Sequence, residues 1–147
     1  MKKVSALDRL LRLRTLLEDV GRVELEARMQ ELVRVEREME TSRQWNRELR
    51  WQGFAAIGEA RDAGRLEAEV LARWVADASV ALAVLQEQRA MAADAAKAAY
   101  LERRKDRRQV ESVLEARATV QAIEQGRREQ RTLDDWFGQK LRFERKG

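Results

Sequence analysis

Apolar residues recur in steps of three and four over the first part of the chain. Leu10, Leu13, Leu17 and Val20 begin the pattern, which drifts through Val23 and Ala27 and reappears at Leu25, Leu32, Val35 and Met39. Such steps keep one face of an α-helix turned the same way. The change of phase predicts a coiled coil with stutters. Ser5-Ala-Leu-Asp8 has the Ser-x-x-acid form of a capping box and marks a helix start at Ser5. From there to about Gln52 only Gly21 weakens the helix, at a cost of about 1 kcal/mol relative to Ala.

A second helical pattern starts near Leu66. Leu71, Trp74, Ala78, Ala81, Leu85, Gln88, Ala92, Ala95 and Ala99 alternate in steps of three and four, with Gln88 the one polar member. The Ala-rich run MAADAAKAAY offers a thin seam where another helix can approach closely. Beyond RRKDRR the period continues through Val113, Ala116, Val120 and Ile123. Gly126 is a weak point, and Thr132-Leu-Asp-Asp135 forms a second candidate capping box at which the helix is expected to break and restart. Leu133, Trp136, Phe137 and Leu141 form a last apolar patch. No strand pattern competes, because β-branched residues are scattered and no hairpin dipeptide lies between alternating runs.

Between the two patterns lies WQGFAAIGEARDAGRLEAE, residues 51–69, with three of the seven glycines in a chain that has no proline. A Walker-type phosphate loop needs Gly-Lys-Ser/Thr after a buried strand. Here Gly64 is followed by Arg65 and Leu66. The glycines are better explained as a reversal point. The expected fold is all-α: a long two-helix antiparallel coiled-coil hairpin with an extended C-terminal helix. It forms one domain over 1–147, with helix one at about 5–52, the turn at about 53–64 and helix two from about 65 to 137 or beyond. A turn of that length has room for a short helix of its own around Phe54 to Ala60. Centred near residue 59, it sets Val4 beside about residue 114 and Trp45 opposite about residue 73, so that Trp45 and Trp74 become neighbours. Everything from about Ala118 onward then lacks a partner within the hairpin.

Composition narrows the chemistry. Of 147 residues, 38% are charged and only 5% aromatic, which suits a long thin object better than a compact globule. Cys and His are absent, which removes thiolate nucleophiles, the usual zinc ligands and the usual neutral-pH general base. The many acids alternate with Arg along helical faces, as surface pairs do. No enzymatic activity, cofactor or metal is expected. The longest apolar run, Val80 to Leu85, is far short of a membrane span. The N-terminus is broken by Asp8, Arg9, Arg12 and Arg14, unlike a secretion signal, and a cytoplasmic protein is expected.

Charge is unevenly spread. Residues 1–17 carry five basic and one acidic residue, 18–99 twelve and sixteen, and 100–147 thirteen and nine. An antiparallel hairpin gathers both basic ends at its open end. Acids interrupt RRKDRR and RREQR, and no stacking platform accompanies them, so nucleic acid is not an expected partner. Trp45, Leu49 and Trp51 precede the turn and Trp74 follows it. They either staple the two helices or form an exposed patch of the kind favoured at interface hot spots.

With WNRELR before a Gly-bearing turn near residue 58, an Arg/Gln-rich second helix, and the close LDDWFGQKLRFERKG, the chain resembles the FliJ proteins of bacterial flagellar export and their relatives in type III secretion. The likeness covers the whole chain as architecture. It implies a non-enzymatic, monomeric stalk, like that of rotary ATPases, whose paired termini insert into the hexameric export ATPase and stimulate it. It also implies contact between the turn end and the cytoplasmic domain of the export-gate membrane protein, and escort of export chaperones. On this reading, gate contact falls to Trp45, Leu49, Trp74, Ala78, Ala81 and Leu85. Ring contact falls to Arg9, Arg12, Arg103, Arg104, Arg107, Leu133, Trp136, Phe137 and Leu141. Ala78 is smaller than the Leu more usual in the family, and Ser42 is polar where an apolar residue is expected. A coiled-coil adaptor or dimerisation rod unrelated to secretion is the alternative.

Overall fold

The computed structural model describes residues 4–58 and 62–146, with the side chains of 56–58, 62 and 63 excepted. Two long helices pack against each other as an antiparallel coiled-coil hairpin: α1, Ala6–Gly58, and α2, Asp62–Lys146. No strand occurs among the described residues.

Helix α1 starts where the sequence places it. Ser5 Oγ accepts from the Asp8 backbone N–H at 3.2 Å, and Asp8 Oδ2 accepts from the Ser5 backbone N–H at 3.1 Å and from its hydroxyl at 2.6 Å. These reciprocal bonds satisfy amides that the first turn leaves orphaned. They also hold the Asp8 carboxyl below its ordinary value of 3.8, with Arg12 adding a smaller push in the same direction.

Both helices outlast their expected ends. Helix α1 continues past Gln52 to Gly58, and α2 begins at Asp62. Phe54 to Gly58 is therefore the last part of α1 and not a separate helix; of the rest of the expected turn, 62–64 belong to α2 and 59–61 lie outside the described residues. Helix α2 also runs unbroken through Gly126 and Thr132. Thr132 Oγ1 donates back to the Arg128 carbonyl at 2.9 Å, a bond of helix interiors, so it caps no new helix.

The chain divides into two compact units, Glu18–Arg103 and Met1–Leu17 with Arg104–Gly147. In Glu18–Arg103, α1 contributes one continuous stripe: Gly21, Leu25, Arg28, Leu32, Val35, Met39, Ser42, Asn46, Leu49 and Gly53, each buried or half-buried. The spacing is a regular heptad alternation, so no stutter is needed. The apparent phase shift came from following apolar letters: Val20, Val23 and Ala27 are exposed, while Gly21 and Arg28 hold the seam.

The α2 side of the seam lies one residue from the expected stripe. Ala68, Ala72, Val75, Ser79, Leu82, Arg89, Ala93, Ala96, Tyr100 and Arg103 face inward, whereas Leu71, Trp74, Ala78, Ala81, Gln88, Ala95 and Ala99 are exposed. One residue is about 100° of helix rotation, enough to move a side chain off the contact. The buried stripe is less apolar in letters, but Ser79 and Arg89 within it are hydrogen-bonded. Ser79 Oγ donates to the Val75 carbonyl at 2.8 Å and shares a 2.9 Å hydrogen bond with Ser42 Oγ. Glu31 accepts from Arg28 and Arg89, each at 3.3 Å, tying the two helices together. A Cβ at Gly21 would meet Arg103 Cδ at 3.2 Å and Tyr100 Cα at 3.5 Å, so the glycine lets the α2 backbone come close. Gly53 plays a similar part, with its added Cβ 3.8 Å from that of Ala68. It is a packing glycine and not a turn glycine.

The Ser42–Ser79 and Gly53–Ala68 pairs share a midpoint between residue numbers 60 and 61, later than the expected 59. Trp45 therefore faces the region of residue 76 instead of 73. In the other unit, Leu7, Leu10, Leu11 and Leu17 on α1 and Val110 and Leu114 on α2 are half-buried. There Arg14 reaches Asp106 at 3.5 Å.

Candidate functional site

In Glu18–Arg103, the six residues expected at a gate contact divide by burial. Leu49 is only 6% exposed and belongs to the seam, so an intact hairpin does not offer it to a partner. Leu85 is half-buried, while Ala78 and Ala81 are exposed. Trp45 and Trp74 are 58% and 75% exposed, so neither staples the helices, and the expected neighbour pair is not formed at the seam. Trp45 and Ala78 each stand one position before a seam residue, Asn46 and Ser79. In an antiparallel pair, such positions flank the same side of the contact. Trp45, Leu71, Trp74, Ala78 and Ala81 thus form an apolar strip along one side of the hairpin.

Near the end of α1, a shallow open groove of about 240 Å³ is lined by Leu49, Gly53, Phe54, Ala68 and Ala72, with Arg50, Arg65 and Glu69 at its rim. Arg65 and Glu69 pair with each other at 3.5 Å, so this rim offers no convergent set of catalytic groups. Among the described residues no group of three or more His, Cys, Asp or Glu is placed to hold a metal ion.

In the unit Met1–Leu17 with Arg104–Gly147, Arg9 and Arg12 are exposed and Arg104 and Arg107 half-buried. Arg107 donates to Glu111 one turn on. Arg103, grouped with these four in sequence, falls in the other unit and lies against Gly21. Every residue from Glu115 to Phe137 is exposed. Leu133, Trp136, Phe137 and Leu141, all expected contacts, are 51–59% exposed, and Phe143, which the sequence reading passed over, is 83% exposed. Trp136 and Phe137 meet edge to face with ring centroids 5.1 Å apart, and Lys140 Nζ stands 5.2 Å over the Trp136 ring. These contacts, favourable by aromatic geometry, hold the rings on the helix surface without covering them.

The sequence reading also missed apolar residues on the outer side of α2. Val70, Val80, Val84 and Met91 are all more than half exposed. Their spacing carries the signal, since it repeats the heptad on a second face, but a search for one stripe per helix stops before finding it.

No helix among the described residues is long and apolar enough to cross a membrane. Comparison of the chain with protein-family models, curated proteins and solved structures finds no match.

Proposed function

We propose that this protein is a non-enzymatic stalk and coupling factor of a type III protein export apparatus, docking into the export ATPase ring through its C-terminal helix. The reading rests on the resemblance to FliJ proteins. The observation that carries it furthest is the helix beyond Leu114, which has no packing partner among the described residues and bears Leu133, Trp136, Phe137, Leu141 and Phe143 exposed. A lone helix in water gains little from its backbone alone, and its stability comes mostly from packing an apolar face. Residues 115–146 carry eight basic and six acidic residues, which suits an acidic lumen and favours oriented encounter. Trp45, Trp74, Ala78 and Ala81 supply the contact with the cytoplasmic domain of the export gate, and export chaperones are further partners at the apparatus.

The test is truncation after Arg117. The shortened chain keeps the seam and is expected to remain helical by circular dichroism, while stimulation of a flagellar export ATPase is lost. Equal stimulation by the truncated chain overturns the docking. Trp74→Ala and Trp45→Ala are expected to weaken binding to the isolated gate domain; unchanged binding removes that surface from the proposal.

A further inference from the structure

Helix α2 carries two stripes at heptad spacing, and α1 covers only one; the outer stripe is apolar except at Asp77 and Gln88. Counting from Val70 in steps of four and three gives Val70, Trp74, Asp77, Ala81 and Val84, and then Gln88, Met91, Ala95 and Ala98. These are the heptad positions opposite the covered ones. Val70, Trp74, Val84 and Met91 are 61%, 75%, 53% and 66% exposed, and the three alanines are exposed as well. Residues 78–86 contain no charge on any face. A helix that is apolar all round is one that is covered all round. The second seam extends over roughly 42 Å, at 1.5 Å per residue.

We propose that the occupant is a second copy of this chain, with the two α2 helices packed antiparallel about a two-fold axis at Val84. Side-chain size is graded along the seam. Large residues, Val70 and Trp74, stand at one end and alanines, Ala95 and Ala98, at the other. Antiparallel pairing about Val84 sets Trp74 over the second copy's Ala95 and Val70 over its Ala98, large against small at both ends, with Asp77 beside Met91, Ala81 beside Gln88 and Val84 against Val84 between them. The flanks agree. Arg73 and Asp94 occupy the same flanking position three heptads apart, and neither has an ion-pair partner among the described residues. The two-fold axis brings each Arg73 beside the other copy's Asp94, twice per dimer. Opposite charges flanking a seam in this way select partner and orientation. A parallel pair instead stacks Trp74 on Trp74, leaves alanine against alanine, and sets Asp77 against Asp77. The interface is isologous, one patch serving both copies, and Trp74 is its anchor.

Sedimentation equilibrium of the full chain is expected to show a mass rising with concentration from 17.1 kDa toward twice that value. Ala95→Arg keeps an exposed helix-forming residue and is expected to abolish the rise with the helical spectrum unchanged. Arg73→Glu should weaken association by about tenfold or more, and adding Asp94→Arg in the same chain should restore it. The chain has no cysteine, so orientation is readable by cross-linking. Val84→Cys is expected to form a disulfide-linked dimer on mild oxidation, and Val70→Cys is not. A single-chain mass at every concentration overturns the proposal and leaves the face to a different protein. Cross-linking of Val70→Cys as readily as Val84→Cys overturns the antiparallel arrangement.

Discussion

Leu49 and Trp74 stand near each other along the hairpin and differ sharply in burial, which makes them a paired test of the seam. Leu49 is 6% exposed, against 75% for Trp74. Truncating a buried Leu to Ala costs the transfer free energy of the lost carbons plus a term for the space left, about 2–5 kcal/mol in a full core. A two-helix seam is thin and solvent reaches its edges, so Leu49→Ala is expected at the low end, about 2–3 kcal/mol. For Trp74, a fully buried ring covers about 150–250 Å². With a quarter of it covered, roughly 50 Å² is lost, or about 1.2 kcal/mol at 25 cal/mol per Å². Ala regains about 0.5 kcal/mol in helix propensity, leaving a net loss under about 1 kcal/mol. At about 2–4 °C per kcal/mol for a chain of this size, Leu49→Ala lowers the melting temperature by about 4–12 °C and Trp74→Ala by no more than about 4 °C. Thermal unfolding by circular dichroism at low micromolar concentration measures both on the single chain. If Trp74→Ala costs as much as Leu49→Ala, the seam is misplaced by one residue and the outer face is not free.

Two other sites give sharp expectations. Gly21→Leu drives a branched side chain toward the Tyr100 backbone, whose Cα lies 3.5 Å from an added Cβ. A loss of about 1–3 kcal/mol is expected from overpacking, whereas Gly21→Ala, which asks only the Arg103 side chain to shift, should stay near wild-type stability in the same melts. Asp8 has a folded-state value below 3.8, held there first by its bonds to Ser5. A group depressed on folding contributes stability that is present above its unfolded value and lost as pH falls through the folded one. Ser5→Ala is therefore expected to move the Asp8 carboxyl back toward 3.8 in an NMR titration and to fray residues 6–9 above pH 4; an unmoved titration refutes the capping account.

The fold was largely legible in the sequence because two long helices need only period, caps and a place to reverse. The capping box at Ser5 and the uninterrupted period past Leu66 depend on neighbours within one turn. What depended on choosing between near-equivalent faces was not legible. The segment from Leu71 to Ala99 has apolar or small residues on several stripes, and apolar count alone favours the one holding Trp74. The folded chain seats Ser79, Arg89 and Arg103 inside, because Ser42, Glu31 and Gly21 on α1 receive them. Those partners are pairings across the hairpin, and their register depended on a turn located one to two residues too early. The same register error set Trp45 against Trp74. The C-terminal patch was easier to read, since a helix on which no other described residue packs has no register to misjudge.

The dimer face and the proposed gate surface lay claim to the same side chains. Trp74 and Ala81 belong to both, and Ala78 lies beside them. A ring seated over a second copy's Ala95 cannot also dock on another protein. Self-association then acts as a competitor whose strength rises with concentration. When half of the chains are dimeric, the fraction competent to bind is one half, and the apparent dissociation constant for the gate domain doubles. Ala95 is outside the gate surface, so Ala95→Arg separates the two effects. It should leave gate affinity unchanged in dilute protein and remove the weakening seen when the wild-type chain is concentrated. The measurement is a titration of isolated gate domain at two fixed hairpin concentrations, one below and one above the midpoint of association. If the wild-type chain binds as tightly above the midpoint as below it, the two partners do not share Trp74, and the gate contact must be moved to the Trp45 side of the strip.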